Sequence, residues 1–459
     1  MRLLVLILLT ILQLSLFSQS ILHFSTFQSS PWLGSARYTA TGGALSALGN
    51  DASSIMDNPA NAATYRAGEI SISGMTQNII NDGLQQDASL PQFHFGSAKD
   101  IKGGVFSFSF DFRQSKWKPA PWRQEQLSPN SSKVDNWLET AKNNTPESLL
   151  EEGNYQAYGA YQAYILEYDT ALGWYPLAQG LPEQNLTSLT REIVKNQTQI
   201  TGAIRLQNIA LGYGFEFFNQ RTIDALTINE NGFSPAGITK SYSMNLTDSA
   251  QISGFRVRLG SVVRLTKSWR WGTYWTSASV AKMNWKYNLL FNSSFYDADN
   301  DEAFEQYQNV KFQVINPQSI GTSLAYVFDR RGFISAEYKY YAKIKLPIQN
   351  PIDWSGVGDE ISKELKSINE FKFGSELRKG IWSYRAGYRH SGNGSIFSDH
   401  SSYNQYSIGM GMRGSFWNLD LALSHTTRNG SVYHPINSEP WNLISSQTAF
   451  ITTYSLRLR

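Results

Sequence analysis

The sequence has 459 residues, a formal net charge of +3, no cysteine, and 14% aromatic against only 17% charged residues. Such a small net charge argues against nucleic acid as a partner. The absence of cysteine excludes disulfides, a lipoprotein cysteine and thiolate chemistry.

The first twenty residues have the layout of a secretory signal peptide. Arg2 precedes an apolar run over residues 3–12, and the small residues Ser18 and Ser20 follow. An uncleaved anchor is the alternative, but the run is shorter than the roughly 20 residues that a spanning helix needs. We therefore predict a cleaved signal peptide over residues 1–20. An exported protein without cysteine fits the envelope of a Gram-negative bacterium.

The next distinctive stretch, residues 35–60, is small, glycine-rich and almost uncharged: SARYTATGGALSALGNDASSIMDNPA. It is too apolar for a solvated tail and too rich in glycine for a stable helix. Asn58 followed by Pro59 predicts a turn at its end. A clearly alternating segment, EISISGM, comes soon afterwards.

Alternation of apolar and polar residues dominates the remaining chain. Four phenylalanines alternate with polar residues over 106–113, and three arginines share one face of the segment 254–265. A period of two predicts β-strands. Several segments reach 11 or more residues, which is long for a soluble sandwich but suits strands that cross a bilayer at a tilt.

We predict fourteen strands, an even number typical of outer-membrane barrels. Short connections, such as 99–102 and 219–221, alternate with long ones, such as 115–198 and 231–250. Short periplasmic turns and long extracellular loops are typical of these barrels. The fold class is therefore all-β, a transmembrane antiparallel β-barrel. The predicted strands are 69–80, 90–98, 103–114, 199–217, 222–230, 251–266, 269–291, 310–328, 332–346, 368–379, 381–392, 403–413, 416–427 and 446–458.

The connection 115–198 is far too long for a plain hairpin loop. Its first part looks helical, and four apolar or aromatic residues follow with helical spacing. They are Tyr158, Tyr161, Ile165 and Tyr168. One interpretation is a partly helical extracellular cap that packs on itself, and the other is a hydrophobic groove that first receives apolar molecules.

Residues 35–74 resemble the N-terminal region of the FadL/TodX family of outer-membrane transporters for long-chain fatty acids and aromatic hydrocarbons. The segments GFRVRLGSVVRLTKSWRWGTYW, INPQSIGTSLAYVFDRRGFISAEYKYY and FKFGSELRKGIWSYRAGYRH agree with that resemblance. It implies a barrel over residues 69–459 that is closed inside its lumen by an N-terminal hatch, residues 21–68. The resemblance also implies a route for the hydrophobic substrate. The substrate would enter from outside, pass when the hatch rearranges, and leave sideways where the third strand kinks.

The resemblance also assigns candidate residues. Matches to the hatch motif and to the positions before it are Gly42, Gly43, Asp51, Asn58, Pro59 and Ala60. Gly103 and Gly104 begin the third strand, where paired glycines are natural places for a bend. An ordinary periplasmic turn is the alternative at those two glycines.

Patterns typical of enzymes are missing from the sequence. None of the six histidines has metal-binding spacing, and the pairs His390-Ser391 and Ser424-His425 are neighbours whose side chains face opposite sides of a strand. A triad assembled across strands stays open. We expect no enzyme, no cofactor and no metal.

Two functions fit these observations. The first is passive uptake of a hydrophobic small molecule through a hatch-gated barrel, which predicts apolar residues inside the wall beside the hatch. The second is a barrel subunit of an envelope secretion or assembly complex, as in PorV-type relatives, which predicts a lumen too filled for a ligand. Expected partners are outer-membrane lipid with the hydrophobic ligand in the first case, and envelope proteins in the second.

Overall fold

The structure is a computed structural model, and the predicted signal peptide lies outside the residues that it describes. Those residues are 33–79, 85–118, 122–151, 153–297, 302–329, 331–343, 345, 362–363, 365–394, 402–432 and 441–458. Within these ranges, no helix combines the length and the apolar character needed to cross a bilayer.

The described residues form nineteen strands, most of them in a single sheet. They are β1 (Gly68–Ile79), β2 (Gln85–Ile101), β3 (Gly104–Trp117), β4 (Trp122–Leu127), β5 (Leu166–Asp169), β6 (Gly173–Pro176), β7 (Gln184–Leu206), β8 (Ile209–Asn231), β9 (Thr239–Arg264), β10 (Trp269–Thr276), β11 (Ser279–Phe295), β12 (Glu302–Asn316), β13 (Ser319–Phe328), β14 (Gly332–Tyr341), β15 (Ile368–Lys379), β16 (Trp382–Ser391), β17 (Tyr403–Arg413), β18 (Trp417–Val432) and β19 (Trp441–Leu458).

Seventeen of these strands make one closed antiparallel wall, and β5 and β6 make a separate hairpin. β3 and β4 both pair with β7, and β10 and β11 both pair with β9. β12 and β13 pair with β11 and β10 and are separated at Pro317, which has no N–H to donate. Each of these three pairs is one interrupted wall strand, and β1 pairs with β19 to close the ring. The predicted fourteen-stranded barrel is confirmed.

An apolar belt surrounds the barrel. In β3 the outward side chains Phe106, Phe108 and Phe110 are exposed, whereas Ser107 and Asp111 face inward and are buried. A continuous apolar ring of this size is far larger than a soluble monomer exposes, and it is the lipid-facing surface of a membrane barrel. Each of the fourteen wall strands contributes an exposed apolar side chain: Ile72, Phe93, Phe108, Ile200, Phe215, Leu259, Trp271, Ile320, Ile334, Phe373, Tyr384, Ile408, Leu423 and Phe450.

The polarity of the two faces inverts along the longest strands. In the lower part of β9, Phe255 and Leu259 point outward and Arg258 is buried inside. In the upper part, Met244 and Leu246 are buried inside, and serines, threonine and asparagine face outward. The upper arrangement is that of a water-soluble sheet with a core on one face. β9 has 26 residues, more than the 9–11 that cross a bilayer, so its upper part stands above the apolar belt.

This inversion explains the main errors in the predicted strands. The predicted turn at 219–221 is wrong because β8 runs straight through it, and the chain instead turns at Gln207 and Asn208. The predicted loop 231–250 is also wrong, since β9 begins at Thr239. Both errors fall where the alternation changes sign, and a change of sign in a period-two pattern looks like the end of a strand.

A cap lies above the barrel. It consists of α3 (Lys133–Ala141), α4 (Pro146–Glu151), α5 (Tyr155–Gln162), the β5–β6 hairpin and the upper parts of β7, β8, β9 and β11. Trp137 of α3 contacts Phe291 of β11 with ring centroids 5.2 Å apart, inside one apolar cluster. The last helix of the long connection ends at Gln162, so Ile165 and Tyr168 do not share a helix with Tyr158 and Tyr161, and Tyr168 lies in β5.

Candidate functional site: the N-terminal segment and the lumen

Residues 33–65, called here the N-terminal segment, lie inside the ring of strands. The segment contains α1 (Ala36–Ala40), α2 (Ala52–Asp57) and a 3-10 helix (Pro59–Thr64). α1 contacts β16 to β19, and the 3-10 helix contacts β7, β8 and β9, so the segment reaches opposite sides of the wall. All of its residues except Asn50 and Thr64 are buried.

Six glycines in the wall make room for this segment. A Cβ atom at any of them would overlap an atom of the N-terminal segment: Gly212, Gly260, Gly272, Gly374, Gly387 and Gly409. At Gly374, for example, the added carbon would lie 2.5 Å from the carbonyl oxygen of Thr41. Glycine in a strand normally weakens it, and close approach of another backbone is one reason for it to be there. The wall is therefore shaped to fit the segment.

The first three predicted hatch residues shape local turns. Gly42 and Gly43 have positive φ angles of 61° and 77°, and a Cβ at Gly42 would meet the backbone of Tyr388. Asp51 caps α2 by accepting a hydrogen bond from Ser53 N at 2.9 Å, and it accepts another from the Ser35 hydroxyl at 2.6 Å. Burial raises the pKa of Asp51, although Arg37 acts against that rise.

The other three predicted hatch residues attach the segment to β8 and β9. The Asn58 side chain accepts a bond from Ala60 N at 3.2 Å and donates to Ser261 O at 3.1 Å. Pro59 and Ala60 lie against Gly212 of β8. The motif therefore connects the N-terminal segment to the wall at β8 and β9.

Asp57, which was not among the predicted residues, is the central anchor of the segment. It accepts a hydrogen bond from Tyr38 OH at 2.5 Å, and it lies 3.3 Å from Arg113 Nη2 of β3 and 3.7 Å from Lys372 Nζ of β15. Burial alone would raise the pKa of Asp57, but Lys372 and Arg113 hold it well below its ordinary value. The carboxylate thus stays charged and joins two distant parts of the wall.

A second ion pair anchors the other end of the segment. Arg37 Nε lies 3.0 Å from Glu376 Oε2 of β15, and the same carboxylate is bound by Arg385 at 2.7 Å. Arg37 also donates to the carbonyl oxygen of Asn50 at 2.7 Å. Breaking one partner of a buried pair costs about 3–5 kcal/mol, so these two anchors hold the segment firmly in the lumen.

The two glycines at which a kink in the third strand was predicted lie at or just before the start of β3, whereas the pairing between β2 and β3 ends near the other end of β3. Gly103 lies in the turn between β2 and β3 with a φ of 83°, Gly104 starts β3, and β3 then pairs regularly with β7. Within the described residues, β2 and β3 pair only up to Gln92 and Arg113. Beyond this point β2 pairs with β1 and β3 pairs with β7, and the stretch where β2 and β3 no longer pair with each other is called here the gap.

α2 of the N-terminal segment lies at the edge of this gap. The Ser53 hydroxyl donates a hydrogen bond to the Gln92 side chain, and Asp57 contacts Arg113. Gln92 and Arg113 are the last paired residues of β2 and β3. The residue that follows Gln92 towards the unpaired end of β2 is Pro91, which has no N–H to donate to a neighbouring strand. The end of the pairing and the helix are therefore in direct contact.

A small basic cavity lies beside Asp57. Its volume is about 50 Å³, which is space for only a few water molecules. Lys339 borders it with its ammonium group 4.6 Å from the ring centre of Tyr341, and no carboxylate among the described residues lies within 4 Å of that group. Arg256 Nε and Arg258 Nη1 are buried without a hydrogen-bond acceptor. Apolar side chains complete the lining: Phe218, Ile252 and Val314.

The lumen also contains a histidine–aspartate pair that does not form a catalytic triad. His94 Nδ1 lies 2.7 Å from Asp111 Oδ1, and Ser109 donates to the other oxygen of Asp111 at 2.6 Å. A triad needs its serine on the histidine, not on the aspartate. No group of three metal-ligating side chains occurs in the part of the chain that the structure describes.

The four candidate groove residues lie within the cap. Ile165 is fully buried. Tyr161 and Tyr168 both contact Trp174, with ring centroids 5.4 Å and 5.0 Å away, and Tyr158 contacts Phe304 at 5.8 Å. The aromatic rings thus pack against other residues of the chain.

Comparisons with known proteins identify the fold. No protein-family model matches the sequence, and no curated protein is similar to it. The structure is similar to the toluene transporter TodX of Pseudomonas putida, with a TM-score of 0.55 and 11% identity over 94% of this chain and 100% of TodX.

Two further solved structures agree. The monoaromatic hydrocarbon channel CymD has a TM-score of 0.54 and 12% identity over 93% of this chain and 98% of its own. The toluene transporter TbuX of Ralstonia pickettii has a TM-score of 0.52 and 11% identity over 94% of this chain and 100% of its own. The chain therefore has the FadL/TodX-like barrel fold that its N-terminal sequence resembles.

Proposed function

We propose that the protein is an outer-membrane transport protein that takes up hydrophobic small molecules passively, and not an enzyme. The observation that carries this proposal is the contact between α2 and the end of the β2–β3 pairing. A movement of α2 would change access from the lumen to the gap, and through the gap to lipid. The likeness of the fold to hydrocarbon transporters supports the same function.

The anchors of the N-terminal segment favour a sideways route over a vertical one. Passage straight through the lumen requires the ion pairs of both Asp57 and Arg37 to break. Passage through the gap requires a displacement of α2, which breaks the ion pairs of Asp57 but leaves the pair between Arg37 and Glu376 in place. An apolar cargo that enters lipid gains about 0.8 kcal/mol for each methylene that leaves water. We therefore infer lateral release, with Asp51 and Asn58 keeping the segment in shape around α2.

The cavity favours a cargo with an acidic group over a neutral hydrocarbon. The wall beside the N-terminal segment does contain apolar residues, such as Ala203, Ala210 and Val262, but they pack against the segment itself. The free space is instead bordered by Lys339, Arg256 and Arg258. A carboxylate would pair with Lys339 and accept hydrogen bonds from Arg256 Nε and Arg258 Nη1, whose side chains bind Glu216 through other nitrogens. A neutral arene would leave these N–H groups without an acceptor. Of the two expected cargo classes, we therefore favour fatty acids.

Cross-linking across the gap tests the route. The chain has no cysteine, so the outward positions Leu90 and Gln114 can be changed to cysteine and joined by a bis-maleimide. We expect uptake of a labelled fatty acid by cells that lack other transporters to fall at least tenfold. The matched control joins Phe95 and Phe110, which already face each other across paired strands, and should keep its uptake. Equal uptake by both cross-linked proteins would rule out the lateral route.

A role as a barrel subunit of an envelope complex is the second candidate. The small volume of the cavity beside Asp57 favours it, because a cavity with space for only a few waters holds no ligand without rearrangement. Affinity purification from native membranes separates the two functions. Stoichiometric recovery of other envelope proteins, together with no uptake of any hydrophobic compound, would replace the transport function with this one.

A further inference from the structure

The upper edge of the apolar belt can be located on β8 and β11. On β8 the outward residues Phe215 and Phe217 are exposed and apolar, and the next outward residues are Asn219 and Arg221. On β11 the exposed Val280 is followed on the same face by Lys282. The surface therefore changes from lipid-facing to water-facing within two to four residues.

Four basic side chains lie just above this edge, on β8, β11 and β12. Arg221 pairs with Gln251, Gln251 with Asn284, and Asn284 with Lys311, so these residues form one row across β8, β9, β11 and β12. Lys282 and Lys286 lie two residues to either side of Asn284 on the same face. Adjacent strands are about 4.8 Å apart, and diagonal neighbours are about 7–8 Å apart. We call Arg221, Lys282, Lys286 and Lys311 the basic patch.

The charge of the basic patch is not neutralised by the protein. All four side chains are exposed, and none of them has a carboxylate within 4 Å among the described residues. The nearby Glu192 on β7 pairs with Lys116 at 3.6 Å. The other outward residues at this level are uncharged, including Ser249, Gln251 and Ser253. The four positive charges of the patch exceed the net charge of the entire chain, which is +3.

We propose that the basic patch binds the phosphate-bearing headgroup of a lipid in the outer leaflet. Arg and Lys donate strong charge-assisted hydrogen bonds to phosphate oxygens, and clustered basic residues beside a membrane are attracted to anionic lipid headgroups. The patch continues directly into the apolar belt at Phe217 and Val280, along which the acyl chains of the same molecule would lie. A soluble anion would use only the basic half of this surface. The assignment is independent of what the barrel transports.

The test replaces all four basic residues with serine, the commonest outward residue of the surrounding sheet: Arg221→Ser, Lys282→Ser, Lys286→Ser and Lys311→Ser. The matched control removes the same charge from the short turns at the opposite end of the barrel. It carries Lys99→Ser, Lys102→Ser, Lys267→Ser and Lys379→Ser, all at exposed positions. The ligand is bis-phosphorylated lipid A, titrated onto detergent-purified protein and detected by native mass spectrometry.

We expect the patch variant to bind this lipid at least tenfold more weakly than the original protein and the control variant. Removing both phosphates from the lipid should weaken its binding to the original protein by a similar factor. Equal binding by the patch variant, an equal loss in the control, or equal binding of dephosphorylated lipid would each overturn the proposal. Displacement of the lipid by an equal concentration of inorganic phosphate would assign the patch to a soluble anion instead. If the fourfold variant does not fold, the pair Lys282→Ser and Lys286→Ser is used with Lys99→Ser and Lys102→Ser as its control.

Discussion

The lower and upper halves of β8 and β9 belong to the same strands, but the polarity of their inner and outer faces is opposite. In the lower half, lipid lies outside and a buried polar network lies inside, with Glu216 bound by Arg256 and Arg258. In the upper half, water lies outside and apolar residues such as Met244 pack inside against the cap helices. The strand geometry is constant across both halves. The polarity of each face is therefore set by what that face contacts, and not by its position on the strand.

The two halves are also filled in different ways. The lower half encloses the N-terminal segment, which is attached through buried ions and through contacts with wall glycines. The upper half encloses helices that come from the long connection between β4 and β7, and these pack through aromatic and aliphatic side chains. The following changes should affect one half and spare the other.

The largest effect is expected from Asp57→Asn. Removing this charge leaves Arg113 and Lys372 without their shared anion, at a cost of about 3–5 kcal/mol. The segment should loosen, and ion conductance in planar bilayers should rise while the cap stays intact. The same substitution at the exposed Asp100 is the control. Unchanged conductance in Asp57→Asn would show that the anchor does not hold the segment.

The pH dependence of the original protein should follow the same anchor. The pKa of Asp57 is depressed by Lys372 and Arg113, so its contribution to stability is complete above the ordinary aspartate pKa of about 3.9. It is lost as the pH falls below that value towards the depressed pKa. Acidification should therefore raise the conductance of the original protein and leave Asp57→Asn nearly unaffected.

Phe291→Ala should damage the cap alone. Phe291 is fully buried against Trp137, and a buried Phe→Ala change costs about 3–5 kcal/mol. We expect faster proteolysis within residues 122–183 and a change in tryptophan fluorescence, with the barrel still folded. Phe255→Ala on the apolar belt is the matched control, and it should leave proteolysis of the cap unchanged. Equal rates of cap proteolysis in the two variants would contradict the view that the cap has a core separate from the barrel.

Leu259→Arg and Thr247→Arg compare the outer surfaces of the two halves of one strand. Both residues point outward from β9 and are exposed. An arginine near the middle of the lipid-facing surface costs about 2–4 kcal/mol, whereas a surface substitution in water usually changes stability by less than about 0.5 kcal/mol. Equilibrium unfolding in urea from lipid vesicles measures both. Similar losses at the two positions would place the edge of the belt elsewhere.

Gly387→Val should have a smaller effect than Asp57→Asn, Phe291→Ala and Leu259→Arg. The added side chain would overlap the backbone at Gly42, and overpacking costs about 1–3 kcal/mol. Gly74→Val is the control, because a Cβ at Gly74 meets no atom within 4 Å. We expect a lower unfolding midpoint and some leakage of ions in Gly387→Val only. Identical unfolding midpoints for Gly387→Val and Gly74→Val would mean that the N-terminal segment can move to accommodate the added side chain.

The sequence predicted the number of strands because alternation is a local property that survives errors at individual boundaries. It did not predict the turn at Gln207, since the polarity of β8 changes sign farther along and suggested a turn there instead. The predicted hatch residues came from a resemblance. Each of them makes a contact in the structure, and their role in a hatch stays a prediction. The anchor Asp57 was missed because its partners Arg113 and Lys372 are distant in sequence. The sequence did not predict the role of wall glycines such as Gly387, because the backbone that they make room for belongs to the N-terminal segment, far away in the sequence.

The position of the N-terminal segment constrains the order of events during assembly. The backbone N–H of Ala36 donates a hydrogen bond to the Thr453 hydroxyl at 2.7 Å, across 417 positions of the chain. β19, which carries Thr453, also forms the seam with β1. The bond at Ala36 needs β19 in place, and β19 reaches its place in the closed wall only when it pairs with β1. We therefore expect the N-terminal segment to become fully attached only when the last strand joins the first.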